Sequence, residues 1–111
     1  MTAPQMLWSG WGDPAQTRAL PPQALELLRG ALRLRGPMPA VAAEDVRLPR
    51  ARVGERERET LSQIVGAEHV RLDDRSRLLH TRGKSTTDLL RIRSGEADDA
   101  PDAVVFPASH Q

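Results

Sequence analysis

Residues 83–85 read Gly-Lys-Ser inside the stretch HTRGKSTTDLL (80–90), the closing triplet of the loop that cradles nucleotide phosphates. That loop needs a glycine at the first of its eight positions and a buried strand leading in, so that backbone amides can wrap the phosphates while the lysine neutralises them. Here the first position is Leu78, the residues before it are charged and patterned as a helix, and Thr81 and Arg82 fill the middle. Phosphate binding is therefore not expected. The alternative is a helix–turn–helix connection in which Gly83 closes one helix and Ser85 or Thr86 caps the next, above Asp88. Lys84 stands out all the same, because the other fifteen basic side chains are arginines.

Three further groups of residues could carry chemistry. His69, His80 and His110 lie 11 and 30 residues apart, without paired ligand spacing on one helix and without cysteine, so no metal site is assigned to them. Ser109 and His110 are sequence neighbours and point apart in most geometries, whereas a nucleophilic serine needs its base facing it. No catalytic, cofactor-binding or metal residue is assigned. Trp8 and Trp11 in MLWSGWGDP are more specific, and their simplest reading is an N-terminal arm anchored on a neighbouring apolar surface.

Composition limits the options further. The chain has 111 residues, and Leu, Ile, Val and Phe make up only 24 of them, with three aromatic side chains in all. A core of that size gives poor support to independent folding. Net charge is +1, yet residues 1–93 hold all 16 basic groups and 11 of the 15 acidic ones, a net of +5. In RLPRARVGERERE (47–59) the arginines give way to alternation with Glu, and no aromatic is interleaved, so nucleic-acid binding is not expected. Cysteine is absent, no apolar run reaches membrane-spanning length, and the start lacks a signal-peptide pattern. A cytoplasmic protein without a transmembrane segment is expected.

The elements that would position these residues are mostly short helices and loops. Gly10, Gly12 and Pro14 favour a loop at the start. A helix is expected over 21–35, with Leu25, Leu28 and Leu32 on one stripe flanked by Leu27, Ala31 and Leu34, ended by Gly36-Pro37. It reads as an amphipathic packing helix. Residues 36–54 read as an extended connector. A second helix is expected at about 55–65, with an apolar edge of Leu61, Ile64 and Val65 and with Gly66 at its end. EHVRL reads as a brief extended piece, and 73–80 as a helix with Leu78 and Leu79 inward. Another helix at 85–93 carries Leu89, Leu90 and Ile92. Finally AVVF (103–106) reads as a buried strand stopped by Pro107, with no convincing second strand to pair with it. Ser109 stands where an N-cap belongs, so the sequence reads as cut off at a strand-to-helix junction.

Taken together, MLWSGWGDP, GAEHVRLDDRSRLLHTRGKSTTDLLRIRSGE and PDAVVFPASHQ, in that order and near those spacings, resemble the N-terminal part of FAD-dependent oxidoreductases of the vanillyl-alcohol-oxidase type. Within that type the resemblance is to bacterial proteins related to alkyldihydroxyacetonephosphate synthase, also called alkylglycerone-phosphate synthase. It implies an α+β fragment: residues 1–100 as a helical segment before the flavin domain, and 101–111 as the truncated start of that domain, opened by the C-terminal strand. It also implies that the glycine-rich loop for the FAD pyrophosphate and the catalytic residues lie beyond such a segment. The expectation is thus a part of a flavoenzyme, inactive alone, binding no FAD by itself and needing the rest of the enzyme or another protein surface as partner. Two alternatives stand beside it. One is a self-standing interaction module that uses the Trp-containing arm and the Leu-rich helix, and the other is a small nucleotide-binding protein dependent on Lys84.

Overall fold

A computed structural model describes residues 6–110, so Gln111 and the first five residues of the opening segment lie outside the described residues. Helix α1 is Pro22–Leu32, where Pro22 brings a pre-set φ and a missing N–H to a first turn that has no use for that donor. It stops at Arg33, which turns left-handed at φ 51° and gives its N–H to the Arg29 carbonyl, three residues before the expected Gly36. The expected packing is not found among the described residues. None of α1 is buried, and Leu27 and Leu32 are 72% and 63% exposed.

Helix α2, Glu55–Val65, has the bounds the sequence suggested, with Glu55 and Glu57 in its first turn where the helix dipole favours acids. Gly66 ends it at φ 92°, a conformation side chains resist, and an added Cβ would stand 2.9 Å from the Glu68 carboxylate. Leu61 and Val65 are half-buried, but Ile64 faces solvent, so the expected apolar edge is narrower.

A 3-10 turn at Ala67–His69 leads into strand β1, Val70–Arg71, which pairs antiparallel with β2, Val104–Val105. Val70 faces Val105 and Arg71 faces Val104, and the Phe106 N–H extends the ladder to the His69 carbonyl at 3.0 Å. This corrects the expectation that the C-terminal strand has no partner. Two residues per strand are too few to show an alternating pattern in the sequence. The strand is also shorter than AVVF: Val104 is buried, while Phe106 is exposed.

Helix α3, Asp74–Leu79, is capped by Asp73, whose carboxylate accepts from the Ser76 N–H at 2.9 Å and the Ser76 hydroxyl at 3.0 Å. The backbone bond from Ser76, ahead of the other influences, holds the Asp73 carboxyl below its ordinary range. Helix α4, Thr86–Arg93, is capped by Ser85, whose hydroxyl accepts from the Asp88 N–H at 3.1 Å. In the turn between them the left-handed residue is Arg82, at φ 62°, and not Gly83. That conformation costs a non-glycine residue roughly 1–2 kcal/mol. The Arg82 guanidinium offsets it with bonds to Asp99 at 2.7 Å, Asp98 at 2.9 Å and the Glu96 carbonyl at 2.7 Å.

The core gathers around α3 and α4. Leu78, Leu89 and Ile92 meet Val46 and Ala97, with Trp8, Val41, Ala43 and Leu48 packed against them. Leu90, on the same helix as Leu89, is exposed. The connector at 36–54 is therefore no passive tether. It supplies Val46, its Val41 N–H donates to the Arg93 carbonyl at 3.0 Å, and Arg47 bridges Glu96 in parallel. Arg77 ties the rest together from a position only 3% exposed: Nε donates to the Pro101 carbonyl at 2.8 Å and a terminal nitrogen to the Pro49 carbonyl. An arginine fork can reach both loops at once, which a lysine cannot.

The result is a small α+β body with an uncovered periphery. Its accessible surface is 9168 Å², against about 6,000 Å² for a compact chain of this mass. The radius of gyration is 17.9 Å, where a closed domain of this length has about 13 Å.

Two outcomes are expected from this arrangement. Arg77→Met strands two loop carbonyls, and amide exchange in α3 and α4 should accelerate roughly 100-fold, equivalent to about 3 kcal/mol, while Arg75→Met leaves it unchanged. The contribution of the Asp73 cap is present above its ordinary pKa and is lost as pH falls through its lowered folded value. Asp73→Ala should remove that acid dependence and destabilise α3 by about 1 kcal/mol at neutral pH.

Candidate functional site

The Gly-Lys-Ser segment and the tryptophan arm, joined by bonds across 73 to 77 residues of sequence, form one site. The Lys84 ammonium donates to the Leu7 carbonyl at 2.8 Å and the Trp8 carbonyl at 3.0 Å. In return the Trp11 indole N–H donates to the Lys84 carbonyl at 2.7 Å. Arg93, at the end of α4, adds bonds to the Ser9 carbonyl at 3.0 Å and to the Met38 carbonyl. Within the arm, the Leu7 N–H closes on the Gly12 carbonyl at 3.1 Å, Gly12 itself sitting at φ 80°. Asp13 then caps a 3-10 turn at Pro14–Gln16 through the Ala15 N–H.

This geometry settles several expectations. The arm is anchored on an apolar surface, and that surface is the chain's own: Trp8 packs against the core cluster. Trp11 is 64% exposed, yet its polar edge is occupied. Lys84 points at carbonyl oxygens, Ser85 is committed to its cap, and the segment ahead of the triplet is α3 rather than a strand. The residues of a phosphate loop are thus engaged elsewhere. Burial pushes the Lys84 amine below its ordinary pKa, which fits an ammonium whose water has been replaced by two carbonyls.

The histidines do not converge. His69 lies beside Glu68, with 3.5 Å between Nε2 and the carboxylate. His80 holds the Ser76 carbonyl through Nδ1 at 2.8 Å and meets the Phe106 ring edge-on at 5.7 Å. His110 follows β2 in the terminal stretch, where no helix begins at Ser109 among the described residues. No group of three or more His, Asp or Glu among the described residues could hold a metal ion.

Sequence reasoning missed the cleft that the docked arm creates. A space of about 580 Å³ lies between the arm (Leu7, Trp8), the connector (Val46, Leu48) and α3 (Leu78, Leu79), with Glu44, Asp74 and Arg75 at its polar margin. It depends on contacts across 30 to 70 residues, and no local pattern records those. The Leu78 that replaces the first loop glycine is one of its walls.

No protein-family model matches the chain. Protein Rv2250A of Mycobacterium tuberculosis is 40% identical over 105 residues, covering 94% of this chain and 70% of that protein. The alkyldihydroxyacetonephosphate synthases of Trypanosoma brucei brucei and Dictyostelium discoideum are 31% and 30% identical, over 96% of this chain. Two solved structures of alkyldihydroxyacetonephosphate synthase share the fold over the same 96%, with TM-scores of 0.77 and 0.78 and identities of 29% and 28%. The chain spans 21–25% of the length of these synthases.

Because both tryptophans lie in the arm, their fluorescence reports its docking. Lys84→Met combined with Arg93→Met should red-shift the emission and increase quenching by acrylamide, with a loss of about 2–4 kcal/mol of arm anchoring. An unchanged spectrum would show that apolar contact alone holds the arm. The pH response has a definite sign. Between the lowered folded pKa of Lys84 and its ordinary value, the arm-released chain binds more protons than the docked one, so docking should strengthen as pH rises through that window.

Proposed function

We propose, from the premise that the chain belongs to the family of Protein Rv2250A and shares its sequence and fold with a portion of the alkyldihydroxyacetonephosphate synthases, that it supplies the N-terminal part of a FAD-dependent oxidoreductase or synthase of that kind. On this reading residues 1–100 form the helical segment ahead of the flavin domain, and 101–111, with β2, begin that domain. The segment has no catalytic activity by itself and completes an enzyme when the remaining portion is present. One observation carries the proposal: the match takes in nearly all of this chain and only about a quarter of each synthase.

The Gly-Lys-Ser site does not fit a flavin pyrophosphate. A dinucleotide pyrophosphate calls for a cradle of free backbone amides or an open helix N-terminus with a cation nearby. Here the α4 N-terminus is closed by Ser85, and Lys84 is spent on the Leu7 and Trp8 carbonyls. The cleft beside the arm is walled mainly by apolar side chains. FAD is therefore assigned to the remaining portion of the enzyme. A cytoplasmic location is in keeping with the lack of cysteine, and no helix among the described residues is long and apolar enough to cross a membrane.

The interaction-module reading keeps only half of its footing. The arm is engaged by its own chain, whereas α1 leaves Leu27, Leu28 and Leu32 exposed. The test is direct: gel filtration of the chain with excess FAD should yield protein free of the flavin band near roughly 450 nm, which is a property of the cofactor. Stoichiometric co-eluting flavin would overturn the proposal.

A further inference from the structure

Helix α1, like α2, contributes no residue to the core, but its composition is that of an interface. Leu25, Leu28 and Leu32 lie on one stripe, with Leu27 beside it, and not one of these side chains is buried. An eleven-residue helix is below the roughly 12–15 residues at which even favourable sequences hold helix alone in water, so such a helix depends on a surface that covers its apolar face. The end of α1 is basic: Arg29 lies in the last turn, with Arg33 and Arg35 just past it, and none of the three forms an ion pair among the described residues.

We propose that the leucine face of α1 is the surface on which the flavin-bearing portion of a synthase-like enzyme closes, through an apolar groove with carboxylates at the end that receives Arg29, Arg33 and Arg35. This rests on the reading of the chain as part of such an enzyme. The occupant follows from area and coverage. A second copy pairing through α1 would cover one helix face. The chain's 9168 Å² of surface exceeds that of a compact chain by about 3,000 Å², the scale of a permanent interface. The synthases matched here carry at least three times as much further chain, which is a partner of sufficient size. The arm and the α3–α4 unit are joined by their own bonds, whereas α1 leaves Leu27, Leu28 and Leu32 exposed together on one short helix.

The test replaces the matching segment of the Trypanosoma brucei synthase with this chain, either unchanged or carrying Leu28→Asp and Leu32→Asp, and measures retained flavin. The unchanged chimera is expected to hold FAD and the double variant to lose it by about tenfold or more, since two carboxylates would be buried unpaired. The same double variant in the isolated chain should leave the exchange protection of α3 and α4 unaltered, which separates docking from folding. Equal flavin retention by the two chimeras overturns the role of α1. Protection of α1 in the isolated chain that grows with its concentration also overturns it, in favour of a second copy. Failure of the unchanged chimera to hold flavin counts instead against the synthase-segment reading.

Discussion

Cationic side chains bonded to loop carbonyls hold this chain in shape. Arg77 joins the Pro49 and Pro101 loops, Arg93 joins the arm to the connector, Lys84 fixes the arm, and Arg82 gathers the acidic loop at 96–99. Such contacts are needed because six buried apolar residues, one of them alanine, are all the core the described residues form. Each large one contributes about 1.5–3 kcal/mol, too little to fix the loops between the elements. A charged donor to a carbonyl is worth about twice a neutral one, and it satisfies oxygens that no ladder reaches. The same device makes the fold exacting: substituting Arg77 leaves acceptors in two segments without partners, and the penalty for stranding them exceeds the bonds' net worth.

Local signals were legible and distant ones were not. The bounds of α2, Ser85 from the pair of candidate caps, and Gly66 as a terminator are set by chemistry within four residues, and all are found where the sequence put them. The pairing of β1 with β2 joins residues 33 and 35 apart through two-residue strands, and neither has length enough to show a period. Gly83 was favoured for the left-handed turn on conformational grounds. Arg82 takes that place because its side chain gains a carboxylate pair and a carbonyl there, an advantage visible only once the 96–99 loop is folded beside it. The connector was misjudged for the same reason. Val41 and Val46 show no periodicity, but they are brought to α4 by backbone bonds to Arg93 and Glu96.

The Gly-Lys-Ser triplet shows how one set of residue types serves different electrostatic ends. A lysine after a glycine at a helix start can neutralise phosphate, but only where free amides converge with it. Here the amides of α4 are capped by Ser85, and the ammonium meets two main-chain oxygens instead. The negative partner is the arm's own backbone. Lys84 is suited to this because its four-carbon stem can reach across from the turn and present several donors to adjacent carbonyls, a geometry that does not call for a planar fork.

That anchoring divides the molecule into a finished part and an unfinished one, and the division bears on assembly. The arm, the connector and α3–α4 close on each other through bonds spanning 50 to 84 residues, so they can take shape before any partner arrives. Helix α1 lies between the arm and the connector in sequence, both of which are bonded to Lys84 or Arg93, while Leu27, Leu28 and Leu32 stay exposed. Its position is therefore constrained while its stability is left to be supplied. A helix held in that way loses less chain entropy on docking than a free segment does. The cation clamps thus do more than replace a core: they present an apolar face in a restricted range of positions to whatever surface completes it.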